Sequence, residues 1–341
     1  MGSKMRARMA RAGLALALLG TLAFATAPVL AQETDLGSLS GSIEIDGSST
    51  VAPVTEAVAE EFGLAGAANV EIALGVSGTG GGFERFCNGE TAISNASRPI
   101  AEDEVELCAE NGVDYYLFEL GQDGVTVVVN PANTFLTCIS VESLAAIWED
   151  GSAIETYADV DPEFPADPIS LYGPGPDSGT FDFFNEEILG DDRVATTDYT
   201  PSEDDNVLVE GIAGDPNALG YFGYAYYAQN ESLLTDVALA ASADLSDCVE
   251  PTADTIRDSS YVLSRPLYVY VNAESLQDEV VQEFIRFYLA NAEALVAETG
   301  YVALPAEEYT TLTEKLDGAI AGEVEPDSAA AGTDEEATPE A

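Results

Sequence analysis

Ser178, Gly179 and Thr180 stand in the stretch "SLYGPGPDSGTFDFF", residues 170–184, between a strand-like run and an aromatic helix-like run. Two further stretches repeat the arrangement. "DGSST" at 46–50 holds Ser49 and Thr50, and "SGTGGG" at 77–82 holds Ser77, Thr79 and Gly80. Short hydroxyl side chains and glycines at a strand-to-helix bend leave main-chain N–H groups uncovered, and a helix N-terminus adds partial positive charge. This is the chemistry that grips an anion. Glycine also lets the backbone approach a ligand closely. None of the three fits GxxxxGK[ST], and no Lys lies nearby, so a P-loop is excluded. Each stretch alone has the composition of a turn or a helix cap. Three of them after strands point to one shared site.

A fourth stretch is "ISNASRPI", residues 93–100, which carries Arg98 after an apolar strand start and before Pro99. A guanidinium offers planar, forked donors suited to an oxyanion.

The balance of charge sets limits on partners. The 341 residues include 62 Asp and Glu, 11 Lys and Arg, and no His. Lys4, Arg6, Arg8 and Arg11 precede the apolar stretch "AGLALALLGTLAFATA", and "VLA" places a small residue at Ala31. Residues 1–31 therefore read as a secretory signal peptide, cleaved after about Ala31. Its removal leaves seven cations against 62 acids and a net charge of −55. Such a surface excludes a nucleic-acid partner, because phosphate contacts need clustered Lys and Arg. It also repels itself unless salt screens it, which suits a salty habitat. No His, no GxSxG elbow and no metal-binding cluster argue against a hydrolase, a metal site or a cofactor. Cys87, Cys108, Cys138 and Cys248 form an even set in an exported chain, which favours disulfides over metal ligation. Of three possible pairings, Cys87–Cys108 with Cys138–Cys248 is preferred, since each bond then staples one domain.

The length favours two domains, and strands alternate with helices throughout. "GSIEIDG", "VEIALGV", "GVTVVVN", "ISLYG" and "RPLYVYVN" read as strands. "VAPVTEAVAEEFGLA", "FERFC", "SVESLAAIWED" with Ser140 as N-cap, "TFDFFNEEIL" and "LQDEVVQEFIRFYLANAEALVAETG" read as helices. Residues 32–40 read as a polar leader, and 321–341 as an acidic, disordered tail.

Seven segments occurring in order carry a resemblance: "DGSSTVAPV", "GVSGTGGGFERFCNGE", "ISNASRPI", "DGVTVVVNP", "DSGTFDFF", "NALGYFGYAYY" and "SRPLYVYVN". Together they resemble the periplasmic phosphate-binding protein family, the substrate-binding component of the phosphate-specific ABC transporter, over about residues 41–310. The resemblance implies a two-lobed α/β fold of the type II periplasmic-binding-protein class, each lobe a mixed, mostly parallel sheet flanked by helices. Lobe 1 is expected at 41–127 plus 263–320, and lobe 2 at 128–262. It implies phosphate contacts from Ser49, Thr50, Ser77, Thr79, Gly80, Ser178, Gly179 and Thr180. It further implies a periplasmic monomer that passes phosphate to membrane permease subunits, with no catalysis. Related carriers for sulfate or molybdate are the alternative. The chain departs from the family in two places. Pro174 stands where many members have an Arg, and Arg98 where many have an Asp, which makes Arg98 the expected cationic contact. The acceptor for the phosphate proton must then be another carboxylate: Asp177 first, with Asp46 or Asp123 as alternatives.

Overall fold

The computed structural model describes residues 35–176, 178–190 and 193–328. The expected signal peptide, residues 32–34 of the leader, Asp177 and the tail beyond Ser328 lie outside the described residues.

The strands are β1 (Gly41–Gly47), β2 (Val70–Leu74), β3 (Ile93–Ala96), β4 (Tyr115–Val129), β5 (Cys138–Ser140), β6 (Ser170–Pro174), β7 (Thr200–Ser202), β8 (Ala218–Gly223), β9 (Thr235–Asp236), β10 (Ala238–Ala240), β11 (Ser264–Asn272) and β12 (Val302–Ala303). Helices α1 (Ala52–Leu64), α2 (Gly78–Cys87), α3 (Glu102–Asn111), α4 (Val141–Trp148), α5 (Tyr157–Val160) and α6 (Gly179–Phe184) alternate with them. They are followed by α7 (Asp205–Gly214), α8 (Tyr224–Asn230), α9 (Ala253–Arg257), α10 (Glu279–Glu298) and α11 (Ala306–Ala321).

The main sheet runs β2-β1-β3-β11-β4-β8-β6-β7. In the first lobe β1 is parallel to β2 and β3, while β11 is antiparallel to both β3 and β4. In the second lobe β6 is parallel to β7 and β8, and β8 is antiparallel to β4. Strand β4 belongs to both lobes. It pairs with β11 as far as Gly124 and with β8 from Val125 onward, so the handover falls between those two residues.

Each lobe has its own core. In the first, Val54, Val58 and Phe62 of α1 meet Phe284, Ile285 and Tyr288 of α10 and Leu316 of α11 on one sheet face. The buried positions of α10 recur at helical spacing, which explains why this helix is readable from sequence. On the other face Phe83 and Phe86 of α2 pack with Tyr115 and Tyr270. In the second lobe Val127 and Val129 pack with Trp148, Phe184 and Tyr221. Cys87 is bonded to Cys108, joining α2 to α3, and Cys138 to Cys248, joining β5 to the segment beyond β10.

Two ends of the described chain differ from expectation. Leu39, in the stretch read as a polar leader, is buried in the first-lobe core. Residues 322–328, read as the start of a disordered tail, are strapped to β4. The Asp327 N–H donates to the Tyr115 carbonyl at 2.9 Å, and its carboxylate accepts from the Leu117 N–H at 2.7 Å and from Lys315 at 2.8 Å. Long-range hydrogen bonds outweigh the local composition here. All seven cations of the described chain are ion-paired, Arg85 with Asp46, Arg193 with Glu142 and Arg286 with Asp317 among them.

Candidate functional site

Parallel strands deliver their following loops to one end of a sheet, and in open α/β sheets that end is where ligands sit. The loops after β1, β3 and β6 all leave from such ends. They meet at a cavity of about 420 Å³ between the lobes.

The first loop brings Ser48, Ser49 and Thr50 to the wall, immediately before α1. Its shape is fixed by its own atoms. The Ser48 N–H donates to the Asn95 carbonyl at 2.9 Å, the Thr50 N–H donates to Ser48 Oγ at 3.2 Å, and Tyr301 Oη donates to the Thr50 carbonyl at 2.8 Å. The second loop is shorter than its sequence suggests, because α2 already begins at Gly78. Thr79 and Gly80 therefore sit in the first turn of a helix whose N-terminus faces the cavity. What brings α2 so close is a glycine pair: a Cβ on Gly82 would stand 2.5 Å from the Gly47 Cα, and so any larger residue would push the helix off β1. Ser97 and Arg98 follow β3, and Ser97 is tied to the second loop by its N–H, which donates to Thr79 Oγ1 at 3.2 Å.

From the second lobe come Gly179, the first residue of α6, and Asp182, Phe183, Glu186 and Glu187 beyond it. Ser264, Arg265 and Pro266, at the start of β11, complete the wall.

Of the expected contacts, Ser49, Thr50, Thr79, Gly80, Arg98 and Gly179 line this cavity. Three others do not. Ser77 donates its hydroxyl to the Asp46 carboxylate at 2.8 Å. Ser178 accepts the Thr180 N–H at 3.2 Å as the N-cap of α6, and Thr180 is a first-turn residue away from the wall. Asp177 lies outside the described residues. Its alternatives are engaged elsewhere. Burial would raise the Asp46 carboxyl, but hydrogen bonds from Ser77 Oγ, Arg85 and the main-chain N–H groups of Ser77 and Gly47 together hold it below the usual carboxylate range. Asp46 therefore braces the second loop. Asp123, 2% exposed, accepts from Arg265 Nε at 3.0 Å.

Arg98 is at the wall, yet its guanidinium is already held. Both Nη atoms donate to Glu104 at 2.8 Å, and Nη1 also donates to the Pro99 carbonyl at 3.0 Å. The sequence does not single out the second cation, Arg265. Its signal is present in "SRPLYVYVN", where a lone Arg opens an apolar strand, but the partner that buries it lies 142 residues away. Nor does it single out the three wall carboxylates. Partial burial raises the Glu187 carboxyl, and the neighbouring Glu186 raises it further.

The site thus offers hydroxyls, main-chain N–H groups at the starts of α1 and α2, and guanidinium groups, opposed by carboxylates from one side. Such a set could donate hydrogen bonds to an oxyanion and accept one from its protonated oxygen. Among the described residues no group of three or more Asp, Glu, Cys or His is placed to hold a metal ion.

Residues 31–292 match the PBP superfamily domain. Protein SphX of Synechocystis sp. is 46% identical over 274 residues, covering 79% of this chain and 80% of that protein. The phosphate-binding protein PstS of Staphylococcus saprophyticus is 40% identical over 287 residues, covering 84% of this chain and 88% of that protein. The crystal structure of a possible phosphate binding protein from Planctomyces limnophilus superposes with a TM-score of 0.78 at 43% identity, covering 83% of this chain and 100% of that one.

Proposed function

The chain belongs to the phosphate-binding proteins of the PBP superfamily, and on that premise we propose that it captures inorganic phosphate outside the cytoplasm and delivers it to a membrane permease. One observation carries the reading to this chain. Donor-rich loops from both lobes meet at a single cavity, with Ser49, Thr50, Thr79 and Gly80 on one side and Gly179 on the other. A small tetrahedral oxyanion fits that distribution, since each of its oxygens can face a different loop.

The finer assignments are part of the same proposal. Ser49, Thr50, Thr79, Gly80 and Gly179 contact the phosphate, with Arg98 at the rim. Selection over sulfate needs an acceptor, because phosphate at neutral pH keeps a proton that sulfate lacks, and a carboxylate facing sulfate is left repelled and unpaired. Glu187, which lines the cavity, suits that role, and Asp177 is the alternative. The protein acts by binding, without a chemical step, as a substrate-binding member of its family does. It works as an exported monomer, its leader removed, with no nucleic-acid partner.

Calorimetry on the mature chain tests the reading. Phosphate should bind tightly with one site per chain, and sulfate should compete weakly. Equal affinity for both would move the protein to a general oxyanion carrier, and release of phosphate from a model ester would make it an enzyme.

A further inference from the structure

Arg265 is the more buried of the two cavity arginines: its side chain is 10% exposed, whereas that of Arg98 is 40% exposed. Its position follows from strand register. Arg265 on β11 pairs with Asp123 on β4, so the two side chains issue from facing positions and Nε reaches the carboxylate at 3.0 Å. Nη2 donates across the cleft to the Gly179 carbonyl at 3.0 Å. The guanidinium carbon lies 4.1 Å from the Phe183 ring centroid, in cation–π contact. Together these three interactions fix the plane of the group.

They do not use all its donors. A guanidinium has five N–H groups, and among the described residues Nη1 donates to no protein acceptor. Nη1 is not sealed away from solvent, so it stands as a charged donor open to whatever enters the cavity. The group lines the cavity, where an anion would supply the missing acceptor. Arg98 differs in this respect, since Glu104 and the Pro99 carbonyl occupy both of its Nη atoms.

We propose that Arg265, oriented by Asp123, is the principal cationic contact of the bound oxyanion, and that its bond to Gly179 couples that contact to closure of the lobes. The proposal rests on the phosphate-binding reading above. Asp123 is then a positioning residue. It holds Nε so that the opposite edge of the fork points away from β4. Gly179 is held through its carbonyl, and among the described residues its own N–H at the start of α6 has no acceptor.

The test is calorimetry with inorganic phosphate on the full mature chain, for the wild type, Arg265→Gln, Arg265→Lys and Arg98→Gln, with melting of each ligand-free protein alongside. Removing a charge-assisted hydrogen bond from a buried site predicts a drop of roughly tenfold to hundredfold for Arg265→Gln. Arg98→Gln should lose less. The drop for Arg265→Gln should be larger above the second ionisation of phosphate than below it, because the dianion gains more from the cation. A purely structural role would weaken both forms alike. If the wild type binds and Arg265→Gln binds within twofold of it, Arg265 is not the contact, and the phosphate reading survives. If the wild type binds no phosphate, that reading itself fails. Should Arg265→Gln not fold, Arg265→Lys decides: it keeps the charge but not the fork, so a tenfold loss supports the proposal and full affinity overturns it.

Discussion

Arg98 and Glu104 are joined by two parallel hydrogen bonds of 2.8 Å, Nη1 to Oε2 and Nη2 to Oε1. Glu104 also accepts the Ala101 N–H at 2.7 Å, so the pair fastens the start of α3 as much as it faces the cavity. A guanidinium committed in this way has less to give a ligand. Arg98→Ala is expected to weaken phosphate binding less than tenfold, about 1 kcal/mol, as for other half-exposed pairs. A hundredfold loss in calorimetry would restore Arg98 to the leading role that the sequence suggested.

Gly179 lies where the two lobes come close. A Cβ placed there would stand 3.2 Å from Thr50 Oγ1 and 3.5 Å from Ser49 Oγ. Gly179→Ala should therefore hold the closed form slightly ajar, weakening phosphate severalfold while leaving the melting temperature of the ligand-free protein unchanged. Scattering with and without phosphate would register a smaller compaction than in the wild type. Identical compaction would show that Thr50 simply turns aside.

Glu187 sits close enough to Arg265 for that charge to oppose the upward push on its carboxyl from burial and Glu186. Glu187→Gln is expected to narrow the phosphate-over-sulfate preference, lowering the affinity for the former and raising it for the latter. Competition calorimetry reads both at once. An unchanged ratio would pass the acceptor role to Asp177.

Asp205, at the start of α7, is pushed up to about 6 by burial and by the carboxylates of Asp204, Glu203 and Asp123. The ordinary Asp value is 3.8, so the folded protein binds more protons than a chain with an unperturbed carboxyl between the two. Stability from this group accordingly falls as pH rises through that window. Asp205→Asn should raise the melting temperature at neutral pH and leave it unaltered below about pH 4. A gain of equal size at both would mean the carboxyl is not the cause.

The strap at residues 322–328 sets two alterations of the chain's end apart. Removing residues 329–341 should change neither melting temperature nor affinity. Asp327→Ala should cost about 1–2 kcal/mol of stability, because it strips a carboxylate from Lys315 and an acceptor from the Leu117 N–H. Phosphate binding should persist, since Leu117 lies six residues along β4 from Asp123.

Much of this was legible locally. The three hydroxyl-and-glycine bends were visible because each follows an alternating apolar run, and α10 because its buried residues repeat at helical spacing. Legibility stopped where the decision was not local. Ser49 and Ser178 look alike in sequence, yet one faces the cavity and the other caps its own helix. Arg265 reads as an ordinary strand-opening cation until the register with Asp123 is known. The acidic, small residues after Ala321 have the composition of a free tail, and only a lysine from α11 and an open edge of β4 hold Asp327 in place.

The uninterrupted passage of β4 from one lobe into the other constrains how the molecule moves. A ladder with the Tyr116–Val271 pairing near one end and Val129–Leu219 at the other cannot slide without unzipping. Any opening of the lobes would then have to bend or twist β4 near the Gly124–Val125 handover rather than slide it. Such a bend would leave the core of each lobe intact.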